Sequence, residues 1–219
     1  MTGRADRRRL AVVALVTLAA FAMLALWARV ASPADWEPGL LAAIALGSGP
    51  LDGLWQAINR LGNLPLWLLL LVPISVGVRF ARGTAAALLV TASVLGDGIA
   101  SAVKLVVERP RPPEAIVEGL FGPDAFAFPS GHVTRAVALA AALAWVLAPP
   151  RYRLPLALAG AATAGLVMGY ARVALGVHWP TDALGGLLLG SGWFALTALL
   201  VPTGPAGGGA AKPGTATPA

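Results

Sequence analysis

Residues 171–182 read ARVALGVHWPTD and lie between two long apolar segments. They hold Arg172, His178 and Asp182, in a chain with only two histidines. A polar cluster between apolar runs marks the junction of two helices. What those helices cross decides what the cluster is for.

Of the 219 residues, 58% are hydrophobic and 12% charged, against about 25% charged in an average soluble chain. Mean hydropathy is +0.77. This is the composition of a membrane protein. A helix of about 20 apolar residues crosses the hydrocarbon core, and six windows qualify: about 10–31, 64–80, 83–103, 133–148, 154–171 and 183–201. The expected fold is therefore all-α, an integral membrane bundle of six transmembrane helices filling a single domain at 10–201. The opening MTGRADRRRL precedes an apolar run without a small-x-small cleavage site, which favours a retained first helix over a signal peptide. Cysteine is absent, which excludes disulfide and thiolate chemistry.

The net charge of +6 is scattered through short loops and forms no basic stripe, which argues against nucleic acid as a partner. Lys and Arg in short loops favour the cytoplasm. Arg4, Arg7, Arg8 and Arg9 place the N-terminus (1–9) inside, and alternating crossings place Arg79 with Arg82, then Arg151 with Arg153, inside as well. The tail at 202–219 also falls inside and, being rich in Gly, Pro and Ala, reads as disordered. Three segments remain outside: 32–63, 104–131 and 172–182. They hold most of the acids (Asp35, Glu37, Asp52, Glu108, Glu114, Glu118, Asp124, Asp182) and several bases, including Lys104, Arg109, Arg111 and Arg172, that orientation alone disfavours there. In the first outer segment the apolar stretches run only about ten residues between Gly and Pro, the pattern of short interfacial helices. Trp36 and Trp55 suit headgroup depth.

The outer segments hold three stretches fit for chemistry. KLVVERPRPP puts Lys104 at a helix end and adds Arg109 and Arg111, whose planar forks suit phosphate oxygens. FPSGHVTR sets Ser130 at a helix N-cap, with Gly131 and His132 in the first turn, where free N–H groups and the helix dipole favour an anion. In the opening stretch Pro180 starts the last helix and Trp179 is biased to extended geometry, so His178 stands at the helix mouth. Asp182 is placed to accept the Nδ1 hydrogen of His178 and leave Nε2 free to attack. Each stretch has a bland alternative: a snorkelling lysine, a solvated histidine, an Asp favoured by the macrodipole. Together, on one side of the bilayer, they make coincidence a poor explanation.

These residues resemble the type 2 phosphatidic acid phosphatase superfamily, whose three ordered motifs are K-x6-R-P, P-S-G-H and S-R-x5-H-x3-D. The matches are Lys104 with Arg111 and Pro112; Pro129, Ser130, Gly131 and His132; and Arg172 with His178 and Asp182. The resemblance implies that His178 is the nucleophile, Asp182 orients it, and His132 is the general acid. It implies that Lys104, Arg111, Ser130, Gly131 and Arg172 hold phosphoryl oxygens, without metal or other cofactor. It also implies a membrane lipid phosphate as substrate, met at the outer face of the plasma membrane: phosphatidic acid, phosphatidylglycerophosphate or undecaprenyl pyrophosphate. Ala171 stands where the pattern has Ser, which removes one hydroxyl donor and predicts weaker binding of phosphate or of the groups that support it, without loss of activity. Of the duplicated Arg-Pro, spacing selects Arg111 for phosphate, with Arg109 in support. Asp97, inside the third helix, is placed to pair with Lys104 or Arg135. Two rival classes are an anion or lipid transporter without turnover and a vanadate-binding haloperoxidase relative. The one-sided charges disfavour the first, and the apolar windows disfavour the second.

Overall fold

The computed structural model describes residues 4–31, 33–45, 49–113 and 122–201. The expected tail at 202–219, with the outer acids Glu114 and Glu118, lies outside the described residues. Among those described there are nine α-helices and no strand: α1 (Arg4–Val30), α2 (Glu37–Ile44), α3 (Asp52–Leu61), α4 (Leu64–Arg82), α5 (Thr84–Thr91), α6 (Leu95–Val107), α7 (Gly131–Leu147), α8 (Arg153–Ala174) and α9 (Pro180–Leu200). A 3₁₀ turn at Ala92–Val94 joins α5 to α6, so that Thr84–Val107 runs as one apolar rod. There the Trp193 indole N–H donates to the Ala92 carbonyl at 2.8 Å, satisfying backbone that an irregular turn exposes in an apolar setting.

Five of these helical units are long and apolar enough to cross a membrane: α1, α4, the α5–α6 rod, α8 with its preceding turn, and α9. The apolar α7 is shorter, at 17 residues. The chain is a multi-pass membrane protein. Large apolar side chains such as Leu15, Leu69, Phe80 and Leu166 stand on the outside of the bundle, where in a bilayer they meet lipid rather than water.

At the centre is α9, which packs on α1, α7 and α8. Small residues let it approach. A Cβ on Gly186 would lie 2.7 Å from the Ser130 carbonyl, and one on Gly190 would lie 2.7 Å from the Thr134 carbonyl. This is small-xxx-small packing, in which missing side chains bring two backbones into contact. One hydrogen bond, Ser130 N–H to the Asp182 carbonyl at 3.0 Å, then ties the start of α7 to the start of α9. The second and third motifs, about fifty residues apart in sequence, meet there.

The two short outer helices do not stand apart from the bundle. α2 packs on α8 and α9, and α3 on α8 and α4. Trp55 of α3 stacks obliquely on Tyr170 of α8, with ring centroids 4.6 Å apart.

Candidate active site

The turn between α8 and α9 follows from its sequence. Gly176 has φ +70°, a left-handed conformation that glycine adopts without steric penalty. Its N–H donates to the Val173 carbonyl at 2.8 Å and the Val177 N–H to the Arg172 carbonyl at 3.3 Å, the paired bonds of a Schellman helix end. Two residues later Trp179 is extended (φ −73°, ψ 153°) and Pro180 opens α9, as the X-Pro pair requires. His178 is thereby held between two helix ends.

His178 and Asp182 are buried. The Asp182 Oδ2 lies 3.3 Å from His178 Nδ1 and accepts the Trp179 N–H at 2.8 Å. On the other side of the ring, Arg111 Nη1 is 3.4 Å from Nε2. A guanidinium only donates, so Nε2 is the acceptor nitrogen and Nδ1 carries the hydrogen that Asp182 takes. Burial, followed by the nearby charges of Arg172, Arg111 and Lys104, holds the His178 pKa well below the usual 6.5. The ring is neutral at pH 7, with its lone pair facing a cavity of about 880 Å³.

Lys104, Arg111, Gly131, His132 and Arg172 line the same cavity. Lys104 sits in the last turn of α6 and lies 3.3 Å from Asp124. Glu108 closes that helix with φ 53°, and the chain then turns into the Arg-Pro repeat. Arg111 is fixed by two backbone carbonyls, Val177 at 2.6 Å and Asp124 at 3.0 Å. Arg172 donates to the Asn59 amide oxygen.

The same donor logic assigns His132. Arg135 Nη2 lies 3.4 Å from its Nδ1, and the Asn63 Oδ1 lies 3.0 Å from its Nε2. The hydrogen is therefore on Nε2, the nitrogen opposite Asn63. Arg135 is anchored by Asp97 and by the Gly62 carbonyl at 2.5 Å. Asp97 thus takes Arg135, one of its two expected partners. It is also the neighbour a Cβ on Gly131 would strike, at 2.7 Å, so the small residue before His132 makes room for the pair.

Seven of the eight predicted site residues gather around this cavity, counting Asp182, which acts on it through His178. Ser130 differs. It occupies the N-cap of α7 without a capping side-chain bond, and its buried hydroxyl has no hydrogen-bond partner among the described residues. Ala171 is buried in α8 and is not part of the cavity wall. Arg109 turns away from the cavity. Its Nη1 bonds Asp182 Oδ1 at 2.5 Å and its Nη2 bonds Glu37 Oε2 at 2.6 Å. Its support therefore reaches the Asp182 carboxylate rather than the cavity. Sequence reasoning missed Asn59, Asn63 and Glu37. The asparagines, Asn59 in α3 and Asn63 at the N-cap of α4, carry no mark of a site in the sequence.

The PAP2 superfamily profile matches residues 85–204, a stretch that includes all three motifs. The chain belongs to the PAP2 superfamily. Phosphatidylglycerophosphatase B of Bacillus subtilis is 33% identical over 156 residues, covering 68% of this chain and 74% of that one. The crystal structure of a transmembrane PAP2-type phosphatidylglycerolphosphate phosphatase from Bacillus subtilis superposes with a TM-score of 0.68 at 29% identity, over 84% of this chain and 93% of that one. A lipid A 1-phosphatase of Rhizobium etli is 35% identical over 122 residues, 52% of this PAP2 chain. The chain spans about half the length of that relative, 49%.

Proposed function

We propose that this PAP2 protein is a phosphatase that hydrolyses a phosphate monoester or pyrophosphate on a membrane lipid through a phosphohistidine at His178. The observation that carries the reading is the acceptor Nε2 of His178, aimed by Asp182 into a cavity that Lys104, Arg111, Arg172 and His132 also line. The relatives named for phosphatidylglycerophosphate and lipid A support the substrate class. So does the cavity wall, where Leu64, Pro65 and Leu66 offer an apolar flank to the tail behind the phosphate.

In the first step the Nε2 lone pair forms an N–P bond while the P–O bond to the lipid breaks. His132, which rests neutral with its hydrogen on Nε2, takes up a second proton at Nδ1 as the substrate's negative charge enters, and the leaving oxygen then takes the proton from Nε2. In the second step water gives a proton back to His132 and attacks phosphorus, the N–P bond breaks, and inorganic phosphate leaves. Lys104, Arg111 and Arg172, with the N–H groups at the start of α7, neutralise the charge spread over the transferring phosphoryl oxygens. In kinases that role falls to a metal ion. The Ser130 hydroxyl, without a partner among the described residues, is assigned to a phosphoryl oxygen as well.

The topology belongs to the same proposal. α1, α4, the α5–α6 rod, α7, α8 and α9 form six spans of one domain at 10–201, and α2 and α3 lie at the interface. Both termini are cytoplasmic, and the cavity opens at the outer face of the plasma membrane. At 17 residues, α7 is about 25 Å long and suffices for a span at the short end of the range.

The test is phosphate release by the purified protein from phosphatidic acid, phosphatidylglycerophosphate and undecaprenyl pyrophosphate, with EDTA present. Wild type should release phosphate from at least one lipid and His178→Ala from none. Equal release by both removes His178 from the chemistry, and anion binding without turnover would favour a transporter.

A further inference from the structure

Behind Asp182 lies a second buried carboxylate that the chemistry above does not use. Glu37, Arg109 and Asp182 are all buried, and Arg109 bridges the two acids at 2.6 and 2.5 Å. Thr181 closes the group. Its hydroxyl accepts from Arg109 Nη1 at 2.7 Å and donates to Glu37 Oε1 at 2.7 Å, while its N–H donates to the same Oε1 at 3.1 Å. Glu37 Oε2 also accepts the Ala34 N–H at 2.9 Å. Trp27 and Trp179 flank the guanidinium, with ring centroids at 5.6 and 5.9 Å.

Desolvated charges are costly unless paired, and packing alone would not call for three of them. Their sum explains the arrangement. Asp182 with Arg109 alone would be neutral, and the field of that carboxylate on the His178 ring would be largely cancelled. Glu37 restores one net negative charge. That charge is matched when the ring becomes a phosphoryl-imidazolium, with the hydrogen still on Nδ1 and the phosphoryl on Nε2.

We propose that Glu37, acting through Arg109, is a positioning residue for phosphoryl transfer: it neutralises Arg109 so that Asp182 both aims His178 and stabilises its positive intermediate. α2 is then the outer helix that supplies this charge to the site. The proposal rests on the phosphohistidine reading given above.

The experiment compares purified full-length wild type, Glu37→Gln and Thr181→Val on phosphatidic acid, or on whichever panel lipid wild type turns over fastest. It measures kcat, KM and inhibition by orthovanadate, a probe of the phosphate cradle. Glu37→Gln keeps shape and loses the charge; kcat should fall about tenfold to thirtyfold, the size of one unit charge acting through a partly screened interior. KM and orthovanadate inhibition should stay within about twofold, since no group that binds phosphate is touched. Thr181→Val removes the hydroxyl link in an isosteric side chain, and kcat should fall about threefold or more. If Glu37→Gln does not fold, Thr181→Val decides alone. Wild-type kcat in either folded variant overturns the proposal, as does a joint loss of kcat and orthovanadate inhibition. A wild type that turns over no panel lipid sinks the phosphatase reading and this proposal together, whereas an active wild type with an unaffected Glu37→Gln sinks this proposal alone.

Discussion

Asp182→Asn tests the site at the carboxylate on which His178 depends. The Asp182 Oδ1 receives Arg109 at 2.5 Å, and Oδ2 receives the Trp179 N–H at 2.8 Å and faces His178 Nδ1 at 3.3 Å. An amide has one oxygen for these two places. With nitrogen in the Oδ2 place, the amide opposes the Trp179 N–H and drives the His178 hydrogen from Nδ1 to Nε2. The attacking lone pair is then gone, and the new N–H points at Arg111. With nitrogen in the Oδ1 place, the ring keeps its tautomer, but the amide opposes Arg109 in a buried pocket and the negative charge that balances the imidazolium is lost. Both orientations weaken the nucleophile, and the expected fall in kcat is roughly 10³- to 10⁴-fold, the scale of a wrong-tautomer variant in a comparable His–Asp pair. That corresponds to about 4–5.5 kcal/mol of barrier. Arg109 keeps Glu37, so the loss of stability should be smaller, about 3 kcal/mol at the lower edge for a broken buried pair. Phosphate release per folded molecule, with orthovanadate inhibition as the check on the cradle, measures the effect. An Asp182→Asn enzyme within tenfold of wild type would refute the assigned tautomer.

The depressed pKa of His178 fixes a sign: as pH falls through 6.5 an ordinary histidine charges, whereas His178 stays neutral until well below that. Nitrogen-15 spectra of a His132→Asn protein, which has a single histidine, should show a neutral ring at pH 6.5, and Arg111→Gln should move its titration upward. A ring already charged at pH 6.5 would contradict this. Gly190→Ala places a Cβ 2.7 Å from the Thr134 carbonyl and 2.9 Å from Val137 Cβ, so α7 and α9 must separate; a loss of about 1–3 kcal/mol should appear as a lower unfolding temperature in detergent, and no change would refute the close-contact packing. Because the chain has no cysteine, Trp36→Cys and Tyr152→Cys give single-thiol proteins at two exposed positions. An impermeant thiol reagent should label the first from outside and the second only after the membrane is opened; labelling of both from the same side would overturn the topology.

The long apolar helices were legible because such helices are written in unbroken hydrophobicity, and each expected window falls on helical residues. Their ends were less so. The first window begins at 10 where α1 begins at Arg4, because amphipathic arginines continue a helix past its apolar part. The 3₁₀ turn inside the third window left no mark, since its stray carbonyl is satisfied by Trp193 from α9. In the site, motif spacing picked out residues that the structure gathers around one cavity. It did not reveal what holds them. Arg109 and Arg111 are two residues apart in one repeat, and only tertiary packing sends the first to Asp182 and the second to the cavity. Nothing near Glu37 distinguishes it from Asp35, and Asn59 of α3 and Asn63 at the N-cap of α4 matter only because tertiary packing sets them against Arg172 and His132.

The most direct measurement is the covalent state of His178 during turnover. With a panel lipid carrying phosphorus-32, turnover quenched within milliseconds in alkali, where phosphohistidine survives, should leave label on the peptide containing His178. The label should decay at the rate of phosphate release and be absent from His178→Ala. Full-rate release with His178 unlabelled, or with the label on another residue, would contradict phosphoryl transfer through this histidine.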